Sequence, residues 1–368
     1  MQFCSTCVMP NTKPGVVLDE NGQCNACRTQ KLKREIDWDQ RRQELVDLCA
    51  AVREKSQGAY DCVVPVSGGK DGFYQAYTMR ELGMRVLCVC LAPHMPTEEG
   101  IVNLNNLVDK LDVDLIKVTL KPSVYQKIRK KTFLVQGEPN WPEHCAIFSA
   151  SVNIAKLYEV PLIVWGEDIA VEFGGVQNTK AKADALDIGS NDLIKDKTIF
   201  SWLDDDISER DVFFYKYPPL EDLNRIGIKS IYLGYYHFWD GYKHFKVAHE
   251  HGFQRREQGP LSGNYLDYDN IDEKLCEINI WLKYIKFGFW RPTDQTCYHI
   301  WNGYLKRDEA VEIVRRLQDQ FPKEYYEDFL RFHDLTDDEF WETVEKFRNL
   351  DLWEKDQDGN WKIKYEIS

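Results

Sequence analysis

The sequence predicts an α/β fold: a doubly wound parallel sheet, with a cysteine-rich module before it and a helical region after it. Three observations point there. Short apolar runs alternate with amphipathic segments between residues 60 and 165, a glycine-rich turn follows the first run, and helical spacing dominates from about residue 271 to the end. A chain of 368 residues, 43% hydrophobic and 29% charged, has ample material for a folded core and for two or three domains.

The first element is defined by cysteines. Cys4-Ser-Thr-Cys7 and Cys24-Asn-Ala-Cys27 form two CxxC pairs with sixteen residues between them. Each pair brings two thiolates to one point, and two such knuckles make a tetrahedral sulfur site suited to zinc. An iron–sulfur cluster is the other metal option, and four unrelated thiols are the structural alternative. Gly15 and the Asn21-Gly22 turn suit a short hairpin between the pairs. A closed four-sulfur site leaves no open position for chemistry, so its zinc is structural. Trp38, Leu45, Leu48, Cys49 and Val52 then follow helical spacing, closed by Ser56-Gln57-Gly58. Residues 1–56 are thus expected to be a zinc module and a helix.

The next domain, residues 57–270, begins the alternation. Residues 60–66 predict a strand, 71–82 a helix ended by Gly83, and 85–91 (RVLCVCL) a buried strand. Ile101, Leu104, Val108 and Leu111 mark a helix face and 113–118 a strand; Ile147, Ala150, Ile154 and Leu157 mark another helix before a short strand at 161–165. Such βαβα order implies a parallel sheet with ligands at the carboxyl ends of its strands. Residues 177–225 are polar and suggest an insertion or substrate-binding region, although Asp204-Asp205-Asp206 suits a solvated face equally well. The stretch 231–245 (IYLGYYHFWDGYKHF) is aromatic and begins as a strand; residues 271–368 form the helical C-terminal region.

Charge and cysteine usage narrow the function classes. A net charge of −13 and a pI near 5.2 disfavour a nucleic-acid partner, since phosphate backbones are held by basic surface. No apolar run approaches the roughly 18 residues of a membrane span. Met1 is not followed by a basic and then apolar export segment, so the expectation is a cytoplasmic protein whose eleven cysteines are thiols or metal ligands.

The turn Ser67-Gly68-Gly69-Lys70-Asp71 is not a Walker A loop: position 64 is Val, and Asp rather than Ser or Thr follows Lys70. It resembles the pyrophosphate loop of the N-type ATP pyrophosphatases (the PP-loop superfamily, adenine nucleotide alpha hydrolase-like), whose pattern is Ser-Gly-Gly-x-Asp-Ser. Glycines let main-chain N–H groups close on phosphate, the following helix adds its positive end, and Ser67 adds a hydroxyl. Asp71 is placed to hold Mg²⁺ or brace the loop. Gly72 departs from the usual Ser, removing a hydroxyl while keeping an N–H. A plain tight turn is the bland alternative.

A zinc module before such a loop looks like the N-acetyl sugar amidotransferases of the WbpG/PseA type, from bacterial surface-polysaccharide (lipopolysaccharide O-antigen) biosynthesis. The stretches "CSTCVMPNTKPGVVLDENGQCNAC", "SGGKDGFYQAY", "VWGEDIAVEFGG", "FWDGYKHF", "KFGFWRPTDQTC" and "GYLKRDEAVEIV" carry the resemblance. It implies ATP-dependent conversion of an acetamido group, on a sugar that is a nucleotide conjugate, to an acetamidino group through an adenylylated oxygen. ATP and Mg²⁺ would be held by Ser67, Gly68, Gly69, Lys70, Asp71 and Gly72, with Leu91, Ala92 and Gly166 also on the nucleotide. Glu167, Asp168 and Glu172 join Asp71 as candidate catalytic carboxylates, against the alternative of a helix cap or solvated loop. Asp240, Lys243, Arg291 and Asp294 are candidates for the sugar or its phosphates; core packing or a surface salt bridge is their alternative. No glutaminase motif is present: Gly22-Gln23-Cys24-Asn25-Ala26 lacks the final Gly, and Gln2 follows Met1. The resemblance therefore implies separate glutaminase and ammonia-relaying subunits similar to those of imidazole glycerol phosphate synthase. Two rivals stand beside it. A tRNA thiolation enzyme would need a basic face and cysteines near the loop, where only Cys145, otherwise a buried thiol, is placed; a nucleotide-binding regulatory protein would make no product.

Overall fold

Strands β1 (Cys62–Pro65), β2 (Val86–Leu91), β3 (Asp114–Val118), β4 (Leu162–Trp165) and β5 (Lys229–Tyr232) form one parallel sheet in the order β3-β2-β1-β4-β5. This is a computed structural model, and it describes residues 1–167, 172, 184–186 and 198–367. The sequences CVVP, VLCVCL and LIVW are continuous apolar runs because both faces of the central strands are covered. Alternate residues enter opposite cores. Val63, Leu87, Val89 and Ile163 face one layer, while Cys62, Val64, Cys88, Cys90 and Val164 face the other.

The first layer is filled by α5 (Pro122–Gln136) and α6 (Trp141–Leu157), with the 3₁₀ segment Glu209–Tyr215 against α6. The second is filled by α2 (Trp38–Lys55), α3 (Lys70–Glu81) and α4 (Glu98–Leu111). Sequence signals explain the ends: Asp37 and Thr97 cap α2 and α4, and Pro122 opens α5. The N-terminal segment divides between two layers. Its helix α2 buries Leu45, Cys49 and Val52 on the sheet, whereas the knuckles and α1 (Asn25–Lys33) share a core with Phe289, Trp301, Val311 and Ile367.

Beyond α7 (Leu220–Ile226), the aromatic stretch departs from the expectation of a longer strand. β5 stops at Tyr232, and the chain forms α8 (Leu233–Tyr236) and then α9 (Gly241–Glu250), capped by the Asp240 side chain. The C-terminal region holds α10 (Cys276–Phe287), α11 (Arg291–Trp301), α12 (Arg307–Leu317), α13 (Tyr326–His333) and α14 (Asp337–Phe347). It is not helical to its end. β6 (Trp353–Lys355) and β7 (Trp361–Ile363) pair as an antiparallel hairpin, turned by Asp356 and by Gly359 at φ 84°. Strands of three residues are too short to show a period of two, and only the Asp358-Gly359 pair signals the turn. Among the described residues, no helix is long and apolar enough to cross a membrane.

The topology fixes the site. β1 lies between β2 and β4, so the order in which successive strands are added reverses there, and the crevice at their carboxyl ends receives both the 66–70 turn and residues 166–167. Gly68 is held at φ 100°, and a Cβ on it would lie 2.6 Å from the Gly100 carbonyl oxygen. Gly68→Ala is therefore expected to destabilise the fold by about 1–3 kcal/mol from backbone strain alone, read as a lower denaturation midpoint. An unchanged midpoint would show that the turn relaxes freely.

Candidate functional site

The phosphate turn has the geometry of an anion cradle. Gly69 is the N-cap of α3 and offers no side-chain cap, so the first N–H groups of a twelve-residue helix are left for an outside acceptor. Ser67 is exposed at the mouth. Gly72 sits against β1's exit: an added Cβ would come within 3.1 Å of Val66 Cα, so the serine of the usual pattern would press on the strand.

Lys70 and Asp71 point into a cavity of about 190 Å³ whose walls also include Glu167, Asp240, Asp269, Arg291, Asp294, Gln295, Tyr298, His299 and Asn302. Lys70 Nζ lies 2.9 Å from both Asp71 Oδ2 and Asp269 Oδ1. Burial works against its charge, but Asp269 and Asp71 outweigh burial and hold the ammonium well above the usual lysine range. Asp71 Oδ1 meets His244 Nδ1 at 2.8 Å, and the Asp240 N–H approaches His244 Nε2 at 3.5 Å. Burial lowers the His244 pKa, so the ring is neutral, with Nδ1–H donating to Asp71 and Nε2 accepting. His244 stacks on Tyr74 with centroids 4.0 Å apart. Asp269 is further held by Gln295 Nε2 at 3.3 Å and faces Arg291 at 3.6 Å.

Glu167 follows β4 directly. Burial first, and the nearby Asp71 charge second, push its carboxyl up to about 7. An unfolded glutamate titrates near ~4.3. Between those values the folded chain keeps a proton that the unfolded chain has released, so this group's contribution to stability falls as pH rises and is lost above pH ~7. Glu167→Gln should raise the thermal midpoint more at pH 8 than at pH 5; calorimetry showing equal changes would contradict the assignment. A divalent cation suits the Asp71 and Glu167 oxygens, hard ligands that repel one another when both are charged.

The other predicted residues fall in different places. Leu91 and Ala92 end β2, half-buried and outside the cavity walls, and the Gly166 carbonyl accepts from the Gly234 N–H at 3.0 Å. Asp168 lies outside the described residues. Glu172 is buried behind the site, with Lys33 Nζ 2.7 Å from each carboxylate oxygen. Asp240 caps α9 and accepts from Tyr304 at 2.6 Å. Lys243 is not among the cavity walls; its side chain is 67% exposed, with the ammonium 3.8 Å from Oδ2 of Asp240, which is among them. Arg291 and Asp294 lie in the first turn of α11, where Pro292 is the second residue. Sequence reading missed Asp269, His244, Gln295 and Asn302. Gln295 was within reach, because 291, 294, 295 and 298 share one helical face once the helix start is seen; nothing local marks Asp269.

The four knuckle sulfurs lie within 4.8 Å of one another and are buried. A tetrahedral zinc–thiolate site, with bonds of about 2.3 Å, needs sulfurs about 3.8 Å apart. Cys4–Cys27 and Cys7–Cys24 are separated by 3.8 and 3.7 Å. Backbone N–H groups of Thr6, Cys7, Cys24, Met9 and Cys27 aim at the sulfurs of Cys4, Cys7 and Cys24, and Trp301 Nε1 donates to Cys27 Sγ at 3.2 Å. The donor set and its N–H shell fit zinc.

Residues 262–367 match the family model for LPS biosynthesis protein WbpG-like, C-terminal domain. The match is confined to the C-terminal region. The comparison with curated proteins found no match. Similar solved structures include an NH3-dependent NAD synthetase from Campylobacter jejuni subsp. jejuni NCTC 11168, at 17% identity and TM-score 0.30, covering 37% of this chain and 58% of that one. An NMN synthetase from Francisella tularensis matches at 13% identity and TM-score 0.31, covering 60% and 98% of the two chains. The chain thus spans less than two thirds of the NAD synthetase.

The region that matches this model builds much of the site. Leu266, Tyr268, Asp269, Arg291, Asp294 and Gln295 face Lys70 and Asp71 across the cavity. Three of its buried polar atoms there, Arg291 Nε, Asp294 Oδ1 and Asn302 Oδ1, make no hydrogen bond. Buried polar atoms without partners are costly, so this wall is built for a polar ligand.

Proposed function

We propose that the protein is an ATP-dependent amidotransferase that converts an acetamido group of a nucleotide-linked sugar to an acetamidino group, in lipopolysaccharide O-antigen biosynthesis. The observation that carries this reading is the shared cavity: Lys70 and Asp71, which end the glycine-rich turn of the sheet domain, face a polar wall from the region that matches the WbpG-like model, where Arg291 Nε and Asn302 Oδ1 lack hydrogen bonds. An amide carbon is a poor electrophile because its oxygen is a poor leaving group. Adenylylating that oxygen, with loss of pyrophosphate, gives it a phosphate to leave with, and ammonia then attacks carbon.

The residues take complementary roles. The N–H groups at the start of α3, with Lys70, would receive the phosphates, and Asp71 with Glu167 would hold Mg²⁺. Arg291, Asp294 and Asn302 would orient the sugar. Ammonia would come from a separate glutaminase with a relaying subunit. A tRNA thiolation activity is disfavoured, because no cysteine lines this cavity among the described residues and Cys145 is buried beside another one.

The test is a nucleotide product assay with Mg²⁺, ATP and ammonium. AMP formed only with a UDP-linked diacetamido uronic acid, and a product about one mass unit lighter, supports the proposal. AMP formed only with tRNA and a sulfur donor, or release of ADP in place of AMP, overturns it.

A further inference from the structure

The zinc knuckles and the cavity are tied together through two helices. Cys24 caps α1 and Cys27 lies in its first turn, while Lys33 is its last residue, roughly 12 Å along the axis. There Lys33 Nζ meets both oxygens of Glu172 at 2.7 Å, each side chain only 3% exposed, and lies 4.8 Å from the Phe238 ring centroid. Gln30 Nε2 donates to the Glu172 carbonyl at 3.3 Å. The second helix is α11, whose Tyr298 lines the cavity. Less than one turn on, Trp301 donates to Cys27 Sγ at 3.2 Å, and Arg34, just after α1, donates to the Trp301 carbonyl at 3.1 Å.

A buried ammonium–carboxylate pair is a weak source of stability, since desolvation offsets the attraction, so its position needs another explanation. Glu172 supplies one, for its charge acts on both Glu167 and Tyr298.

We propose that the zinc knuckle is a positioning element of the cavity, with Lys33 and Trp301 transmitting its geometry to Glu172 and Tyr298, so that metal retention and cavity occupancy are coupled. The proposal rests on the ATP reading only for its choice of probe. Coupling between two sites is reciprocal and commonly amounts to about 5–150-fold in affinity.

Two measurements on the full chain test it. In the first, zinc affinity is measured by chelator competition with and without Mg·AMPPNP. The nucleotide should tighten zinc binding by about fivefold or more in the parent protein. In Lys33→Met and Trp301→Phe, which keep all four cysteines, that gain should shrink to less than about twofold, and Lys33→Arg should restore part of it. Nucleotide that binds with no effect on zinc affinity overturns the coupling. The second needs no nucleotide. Amide exchange in peptides spanning 291–301 should speed up in zinc-loaded Lys33→Met and Trp301→Phe, while peptides spanning 1–28 keep their protection. Unchanged exchange in 291–301 overturns the positioning role even where AMPPNP fails to bind, an outcome that separately counts against the ATP reading.

Discussion

Lys70→Met is expected to lower AMP formation by about 10²–10³-fold, the usual loss when one preorganised donor to developing charge is removed. Lys70 is the cation nearest the phosphate turn, and Asp71 and Asp269 hold it in place at 2.9 Å each. Removing it also strands two carboxylates in a largely dry cavity. Stability should therefore fall by about 3 kcal/mol, at the low end for a broken buried pair because both aspartates keep some solvent contact. The two effects separate in the double variant Lys70→Met/Asp269→Asn, which should regain stability in urea titration without regaining turnover. Recovery of both would make Lys70 a structural lysine only.

Loss of the metal should have the largest effect on the fold. Native mass spectrometry is expected to find one zinc in the parent chain and none in Cys4→Ser, which should be destabilised by about 5 kcal/mol or more, given the ~10–16 kcal/mol of apparent binding energy typical of small zinc modules. The reason is placement. The knuckles share a core with Phe289, Cys297, Trp301 and Val311, and Arg307 Nε donates to the carbonyls of Cys4 and Cys7 at 3.2 Å, so their collapse exposes the base of the C-terminal helical region. Chelation should lower the thermal midpoint in parallel. A chelated protein that melts at the parent temperature would refute a structural role, and iron in place of zinc would revise the metal.

Much of this architecture was legible because its signals are local. The strands of residues 60–66, 85–91 and 161–165 announce themselves as apolar runs, and each is found within one or two residues of its expected ends. Helix α5 and the C-terminal hairpin were not anticipated, although Gly137 and the Asp358-Gly359 pair mark their ends. The site divides in the same way. Asp71, Glu167, Asp240, Arg291 and Asp294, drawn from four separate stretches, do meet at one cavity, whereas Lys243 turns to solvent and Glu172 turns to Lys33.

By itself, then, the sequence determined the parallel sheet, the glycine-rich turn at its first strand and the meeting of four sulfurs. Each is written in consecutive residues or in two short fixed spacings, so backbone geometry alone brings the groups together. The tertiary structure decided which charges face one another: Lys70 with Asp269, Asp71 with His244, Glu172 with Lys33. Those partners are 139 to 199 residues apart along the chain. No periodicity connects such distant positions, and their pairing follows only from how the helices pack around the crevice where the strand order reverses.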